Sequence, residues 1–309
     1  MRTALILATA LGCATSAVAA KTVELNQQDG TLAITIDGQP FATLVHDGYK
    51  KPFLIDLRAP DGTVITRSLD KDAITDHPHH KGVWVAVDEV NELKHWAEKH
   101  TIRTKSVEIL EKEGNPARFR ITNEWLDAEG KPLLLETSTV SIYPDRLIAY
   151  DISLTPAGDE PVEFGDTKEG FFAVRLRDEL REKGGNGQIV NAQGHKGAAE
   201  AWGQESKWVD YSGEVDGDAV GVAIFDHPDN TPPGRYHVRN YGLFTISPFG
   251  QSAYTNGELK PNPVHLKPGE TLRLRYAAWF HGEADPADVG DRYRRYVDAA
   301  RQTSASENP

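Results

Sequence analysis

Cysteine is all but missing from this 309-residue chain: Cys13 is the only one, and it falls within the first twenty residues. The rest of the chain has no thiol for disulfides, thiolate catalysis or zinc–sulfur sites. Membrane-length apolar runs are missing too. Ala4 to Leu11 is the one candidate, and it is far shorter than the roughly 20 residues that a bilayer-spanning helix needs. Mean hydropathy is -0.49. Positive charge is scarce, with 34 Lys and Arg against 46 Asp and Glu, a net charge of -12. Nucleic acids and anionic membranes are bound by basic faces, so neither is expected as a partner. The chain also lacks a G-x-S-x-G elbow, a P-loop, a dinucleotide-binding fingerprint and an H-E-x-x-H pair. Serine hydrolase, NTPase and Rossmann dehydrogenase readings fall away with them.

What is present begins with a leader-like N-terminus. Arg2, the apolar stretch Ala4 to Leu11 and the small residues Ala17-Val18-Ala19-Ala20 read as a signal peptide over residues 1–20. The mature chain is therefore expected to be exported, periplasmic or extracellular. Residues 21–301 are expected to form one domain stabilised by its core, followed by a disordered tail at 302–309.

Strand patterns dominate. Leu32, Ile34 and Ile36 alternate with polar residues before the turn Asp37-Gly38, and Phe119, Ile121, Asn123 and Trp125 alternate likewise. Further strands are expected over 133–142, 147–154, 219–225 and 272–280. Many short strands punctuated by Gly and Pro predict an all-β sandwich or barrel. Val90 to His100 fits a short helix ambiguously. The C-terminal stretch is clearer: Asp285 can cap, Pro286 suits the first turn, and Val289, Tyr293, Tyr296, Val297 and Ala300 form one stripe. The glycine-rich stretch from Arg181 to Ser206 reads as a long mobile loop.

The densest chemistry lies in Asp76-His77-Pro78-His79-His80-Lys81-Gly82-Val83-Trp84, which holds three of the eleven histidines. Histidine exchanges protons near neutral pH and is also the commonest metal ligand. Pro78 predicts an extended backbone, placing His77 and His79 on one face and His80 on the other. Proton transfer, substrate binding, a divalent metal on His77 and His79, or a merely structural cluster all fit this stretch. No cofactor is required by the sequence.

A second stretch, Phe164-Gly165-Asp166-Thr167-Lys168-Glu169-Gly170, holds Asp166 and Glu169 among aromatics and glycines, where carboxyl pKa values can be driven apart. Glu169 is the preferred general acid or base. An ordinary charged turn is the plainer reading. Trp96, Trp208, Asp210 and Tyr211 offer flat rings beside polar groups, which suits a sugar, although core packing would use the same residues. His227 ends a buried strand. His237, Arg239 and Tyr241 alternate along a further expected strand, with Asn240 between them. Arg239 can fork onto a carboxylate or hydroxyl, or pair with Asp226 or Asp229.

These segments, with Trp208-Val209-Asp210-Tyr211-Ser212-Gly213, Ile224-Phe225-Asp226-His227-Pro228 and His237-Val238-Arg239-Asn240-Tyr241-Gly242, resemble the bacterial family DUF6807, often labelled the "PmoA family". A methane monooxygenase subunit would need transmembrane helices, and this chain offers none. The resemblance implies a large antiparallel β-sandwich, the supersandwich of galactose mutarotase-like enzymes, with a short C-terminal helix. It further implies work on carbohydrate. By analogy of fold, a His/carboxylate pair, His79 or His80 with Glu169, would transfer protons. His77, Trp96, Lys168, Trp208, Asp210, Tyr211, His227, His237, Arg239, Asn240 and Tyr241 would hold a small sugar or an oligosaccharide. Glycoside cleavage, sugar isomerisation, binding without catalysis and a metal-dependent lyase or hydrolase remain open. Oligomeric state is not legible.

Overall fold

The computed structural model describes residues 21–74 and 76–307, so the expected leader lies outside the described residues. The sequence alternation becomes two large antiparallel sheets packed face to face. The first runs in the order Arg235–Val238, Leu243–Ser247, Gly170–Arg175, Val83–Val87, Phe53–Ile55, Gln39–Val45, Thr31–Ile36, Val23–Gln28, Glu113–Gly114. The second runs Gln188–Asn191, Trp208–Val215, Asp218–Asp226, Leu272–His281, Leu147–Pro156, Pro132–Ile142, Ala117–Leu126, Ile102–Glu111. Val162–Phe164 pairs separately with Val264–Leu266. The all-β, two-sheet expectation holds.

Alternation explains the core. Along Ala117–Leu126, buried and partly exposed residues alternate, sending Phe119, Ile121 and Trp125 inward. Aromatic rings then bridge the sheets: Phe172 stacks on Tyr276 at 5.7 Å, and Phe41 meets Phe280 edge-on at 6.2 Å. Each such ring contributes about 1.5–3 kcal/mol by leaving water.

Three α-helices occur among the described residues: α1 (Gly197–Ala201), α2 (Gln251–Tyr254) and α3 (Pro286–Glu307). The Asp285 carboxylate caps α3, accepting the Ala287 and Asp288 N–H groups at 2.7 and 2.9 Å. Its stripe Val289, Tyr293, Tyr296 and Val297 packs on Leu147, Trp208, Phe225 and Ala277, all from the second sheet. The helix runs past residue 301, where a disordered tail was expected to begin. None of the helices is long and apolar enough to cross a membrane.

Two local expectations are corrected. Residues 90–100 form turns, because Asn91, Glu92 and Glu98 take positive φ, which a helix does not admit. The 181–206 stretch is built into the fold. Gln188–Asn191 pairs with the next strand, and the Asn186 side chain clamps the backbone of Glu214 through two 2.8 Å hydrogen bonds. Within the first sheet, Val83–Val87, Gly170–Arg175 and Leu243–Ser247 are buried along their whole lengths, so chain covers their outer faces too. That cover carries the site.

A candidate acid–base site at the histidine turn

The histidine segment is a turn. The His80 N–H donates to the His77 carbonyl at 3.0 Å, and His77 takes a φ of 38°. The expected extended backbone is therefore corrected, together with the split of His77 and His79 from His80. A left-handed histidine costs about 1–3 kcal/mol. Arg67 offsets that cost from inside the turn. Its guanidinium donates to the carbonyls of Asp76, His77 and His80 at 3.0, 2.9 and 2.9 Å and to the Asp76 carboxylate at 2.7 Å. Gly82 then leads into the strand at φ +50°, where an added Cβ would lie 1.8 Å from the Leu54 carbonyl oxygen. Only glycine fits there.

Turned this way, the rings stack. Trp84 lies on His80 at 5.5 Å, His80 on His77 at 4.8 Å, and His77 on Tyr241 at 5.0 Å. His79 stands edge-on to His80 at 4.5 Å, and Trp96 meets the same ring edge-on at 5.3 Å. Such contacts are worth about 0.5–1.5 kcal/mol each beyond area burial. The stack consumes the aromatic faces, so the groups left for a ligand here are mostly polar.

Buried cations brace the turn from below. Arg67 and Arg175 both reach Asp76 Oδ1 at 2.7 Å. Burial alone would raise the Asp76 pKa, but the two arginines overcome it and hold the carboxyl below its ordinary range. Lys51 donates to the His79 carbonyl at 2.7 Å, and Lys51 and Lys81 both reach Glu98 at 2.6 Å. Burial brings the Lys51 pKa down to about 8.

Above the stack opens a cavity of about 500 Å³, walled by His77, His79, His80, Asp88, Trp96, Ala97, Lys168, Glu169, His237, Arg239 and Tyr241. Burial, with Lys51 and His77 adding to it, lowers His79 to about 4. His80 is lowered further by burial and by His79 and His77. Burial also takes His237 to about 4, and its Nδ1 lies 2.9 Å from the Lys168 carbonyl. A carbonyl only accepts, so Nδ1 carries the proton and Nε2 is left as an acceptor. The carboxyls move the other way. Burial raises Glu169, Asp88 adds to the rise, and Lys168 and Arg239 offset part of it. Burial raises Asp88, offset in part by the Ala97 N–H donating at 3.1 Å. Neutral imidazoles beside protonatable carboxyls supply both partners of acid–base catalysis.

A family model described as a family of unknown function (DUF6807) matches residues 31–294. The chain belongs to this family. No curated protein matches it. Among solved structures, it is similar to galactose 1-epimerase from Lactobacillus acidophilus NCFM at 10% identity and TM-score 0.43, over 86% of this chain and 99% of that one. A GalM/aldose epimerase homologue from C. elegans gives 9% identity and TM-score 0.42, over 86% and 100%. The GH36 α-galactosidase AgaA from Geobacillus stearothermophilus gives 10% and 0.43, over 85% of this chain and 41% of that one. At these scores nothing about the chemistry of the DUF6807 site follows from the likeness.

Nine of the residues singled out in the sequence line the cavity of this DUF6807 protein: His77, His79, His80, Trp96, Lys168, Glu169, His237, Arg239 and Tyr241. Six do not, and those expectations are corrected. Asp166 caps α2, accepting the Ser252 and Ala253 N–H groups at 2.9 and 2.8 Å. Trp208 and His227 lie under α3, with His227 edge-on to Tyr296 at 5.8 Å. Asp210 is buried against His281 at 2.8 Å. Tyr211 is a core residue whose hydroxyl accepts the Glu182 N–H at 2.8 Å. Asn240 faces a separate cavity with Trp202 and Glu182, because Arg239 begins a tight turn that ends the strand at Val238. Asp88 is absent from the sequence reading, although the carboxylate pair Asp88-Glu89 closing the apolar strand Val83–Val87 is a usable signal. Among the described residues no group of three or more His, Asp or Glu side chains is arranged to hold a metal ion, so a divalent ion on His77 and His79 would lack a third such ligand.

Proposed function

We propose that this DUF6807 protein is an exported enzyme that cleaves a glycosidic bond or isomerises a sugar by acid–base chemistry. One observation carries the reading: Glu169 and Asp88, both raised by burial, share a cavity with His79 and His237, both held neutral. Glu169 is the acid, its carboxyl raised by burial and by the Asp88 charge. His79 or His237 Nε2 is the base. His80 stands behind them as part of the ring stack. A cavity of about 500 Å³ suits a monosaccharide or one residue of a longer chain. Lys168 and Arg239 supply fixed donors for hydroxyls. The leader-like residues 1–20 support export.

The test is Glu169→Gln, assayed on a panel of aldoses and aryl glycosides. Turnover is expected to fall by about 10²–10⁴-fold, with melting temperature and sugar binding nearly kept. Undiminished turnover removes Glu169 from the mechanism. Sugar binding by the unaltered protein with no turnover of any panel member favours the non-catalytic reading instead.

A further inference from the structure

Charge around the cavity is unbalanced, in a direction opposite to the chain as a whole. The protein carries a net charge of -12. Yet four cations, Lys51, Arg67, Lys81 and Arg175, lie buried beneath the histidine turn. Their carboxylate partners are two, Asp76 and Glu98. Two positive charges are therefore left over in a region of low dielectric. In the cavity wall, Lys168 and Arg239 are at most balanced by Glu169 and Asp88, and each proton those carboxyls hold raises the positive excess. The surplus is felt in the wall: Lys51 helps lower His79, and Arg175 and Lys51 help lower His80.

Unsatisfied donors point the same way. Arg175 is fully buried, its guanidinium lies 5.1 Å over the Tyr241 ring that lines the cavity, and its Nε and Nη1 have no hydrogen-bond partner. His80, 2% exposed and also lining the cavity, has both ring nitrogens unpartnered. A buried excess of one sign is costly unless an opposite charge completes it. Arg239, lying 5.7 Å over the same Tyr241 ring, presents a planar fork that matches a carboxylate.

We infer that the site takes a sugar bearing a carboxylate, a uronate or aldonate, whose anion completes this charge set through Arg239 and Lys168. The inference rests on the proposed site while leaving the reaction open, and it is read by binding alone.

Isothermal calorimetry at pH 7.5 compares D-glucuronate and D-galacturonate with D-glucose and D-galactose. Each titration is made on the full chain and on Glu169→Gln. At least one uronate is expected to bind ten times or more tighter than its neutral aldose, with the preference shrinking as salt rises. Arg239→Gln and Lys168→Gln, both with kept melting temperatures, are expected to bring that ratio toward one. Equal affinity for acid and neutral sugar, absence of uronate binding, or a ratio unmoved in both folded variants would overturn the inference. An aldose turned over through Glu169 without any uronate preference would leave the acid–base reading standing and sink this one alone.

Discussion

At the scale of single residues, the histidines were legible and their supports were not. Three imidazoles in four positions announce a site. Nothing near Arg67 or Arg175 announces that both will meet Asp76, because the three positions lie on different segments and a buried ion pair leaves no local pattern. Glu169 stood out through its glycine and aromatic neighbours, whereas Asp166, three positions nearer Phe164, caps a helix. The neutral histidines carry a pH signature that one residue isolates cleanly. His95 is fully buried, is lowered to about 4 by burial, and hydrogen-bonds the Leu126 carbonyl at 2.9 Å through Nε2. Between about pH 4 and 6.5 the unfolded chain binds a proton there that the native state refuses. Stability from this group is thus full above 6.5 and is lost as pH falls. His95→Gln keeps a donor for Leu126 without titrating. It is expected to cost distinctly less stability at pH 5 than at pH 7.5, measured by urea unfolding at both values. An equal cost at both would mean that His95 titrates alike in the two states.

At the scale of elements, alternation worked where one face of a strand is wet and failed where both are dry. Ala117–Leu126, Pro132–Ile142 and Leu272–His281 matched their patterns because solvent selects polar residues on one side. The expected strand through His237, Arg239 and Tyr241 was cut short at Val238. Alternation continues into the turn, and the side chains still reach one cavity. The helix–strand ambiguity of 90–100 was settled by left-handed residues that no periodicity encodes. For α3, the amphipathic stripe was plain, and its partner surface supplies a prediction. Tyr296 is 3% exposed and packs on Phe225 and His227. Tyr296→Ala is expected to lower unfolding free energy by about 3–5 kcal/mol, read as a reduced urea midpoint with unchanged slope. Because α3 sits on the second sheet and the cavity on the first, sugar affinity of the folded variant is expected to be kept.

At the scale of the whole molecule, strand patterning was enough for an all-β sandwich or barrel and the family resemblance for the sandwich, but neither for the order of its strands. The first sheet places Val83–Val87 beside Gly170–Arg175, and the second places Leu272–His281 fourth of eight, between Leu147–Pro156 and Asp218–Asp226. Such pairings are set by long-range packing rather than by any motif. They also make the site a late product, since its walls come from residues near 80, 170 and 240. A chain ending at residue 270 lacks the strand that joins the two halves of the second sheet. It is expected to show no cooperative melt by circular dichroism, and a cooperative transition in that fragment would show that the halves join without it.

The central place of the last strand also bears on when folding occurs. A chain growing from its N-terminus cannot complete the second sheet until Leu272–His281 has been made, after every other strand of both sheets. Until then its long-range pairings bring loop-closure cost without closing the core. Delay of that kind keeps a polypeptide threadable, which is what a translocation channel demands of its cargo. For the proposed exported enzyme, this strand order would favour a threadable chain until Leu272–His281 has emerged.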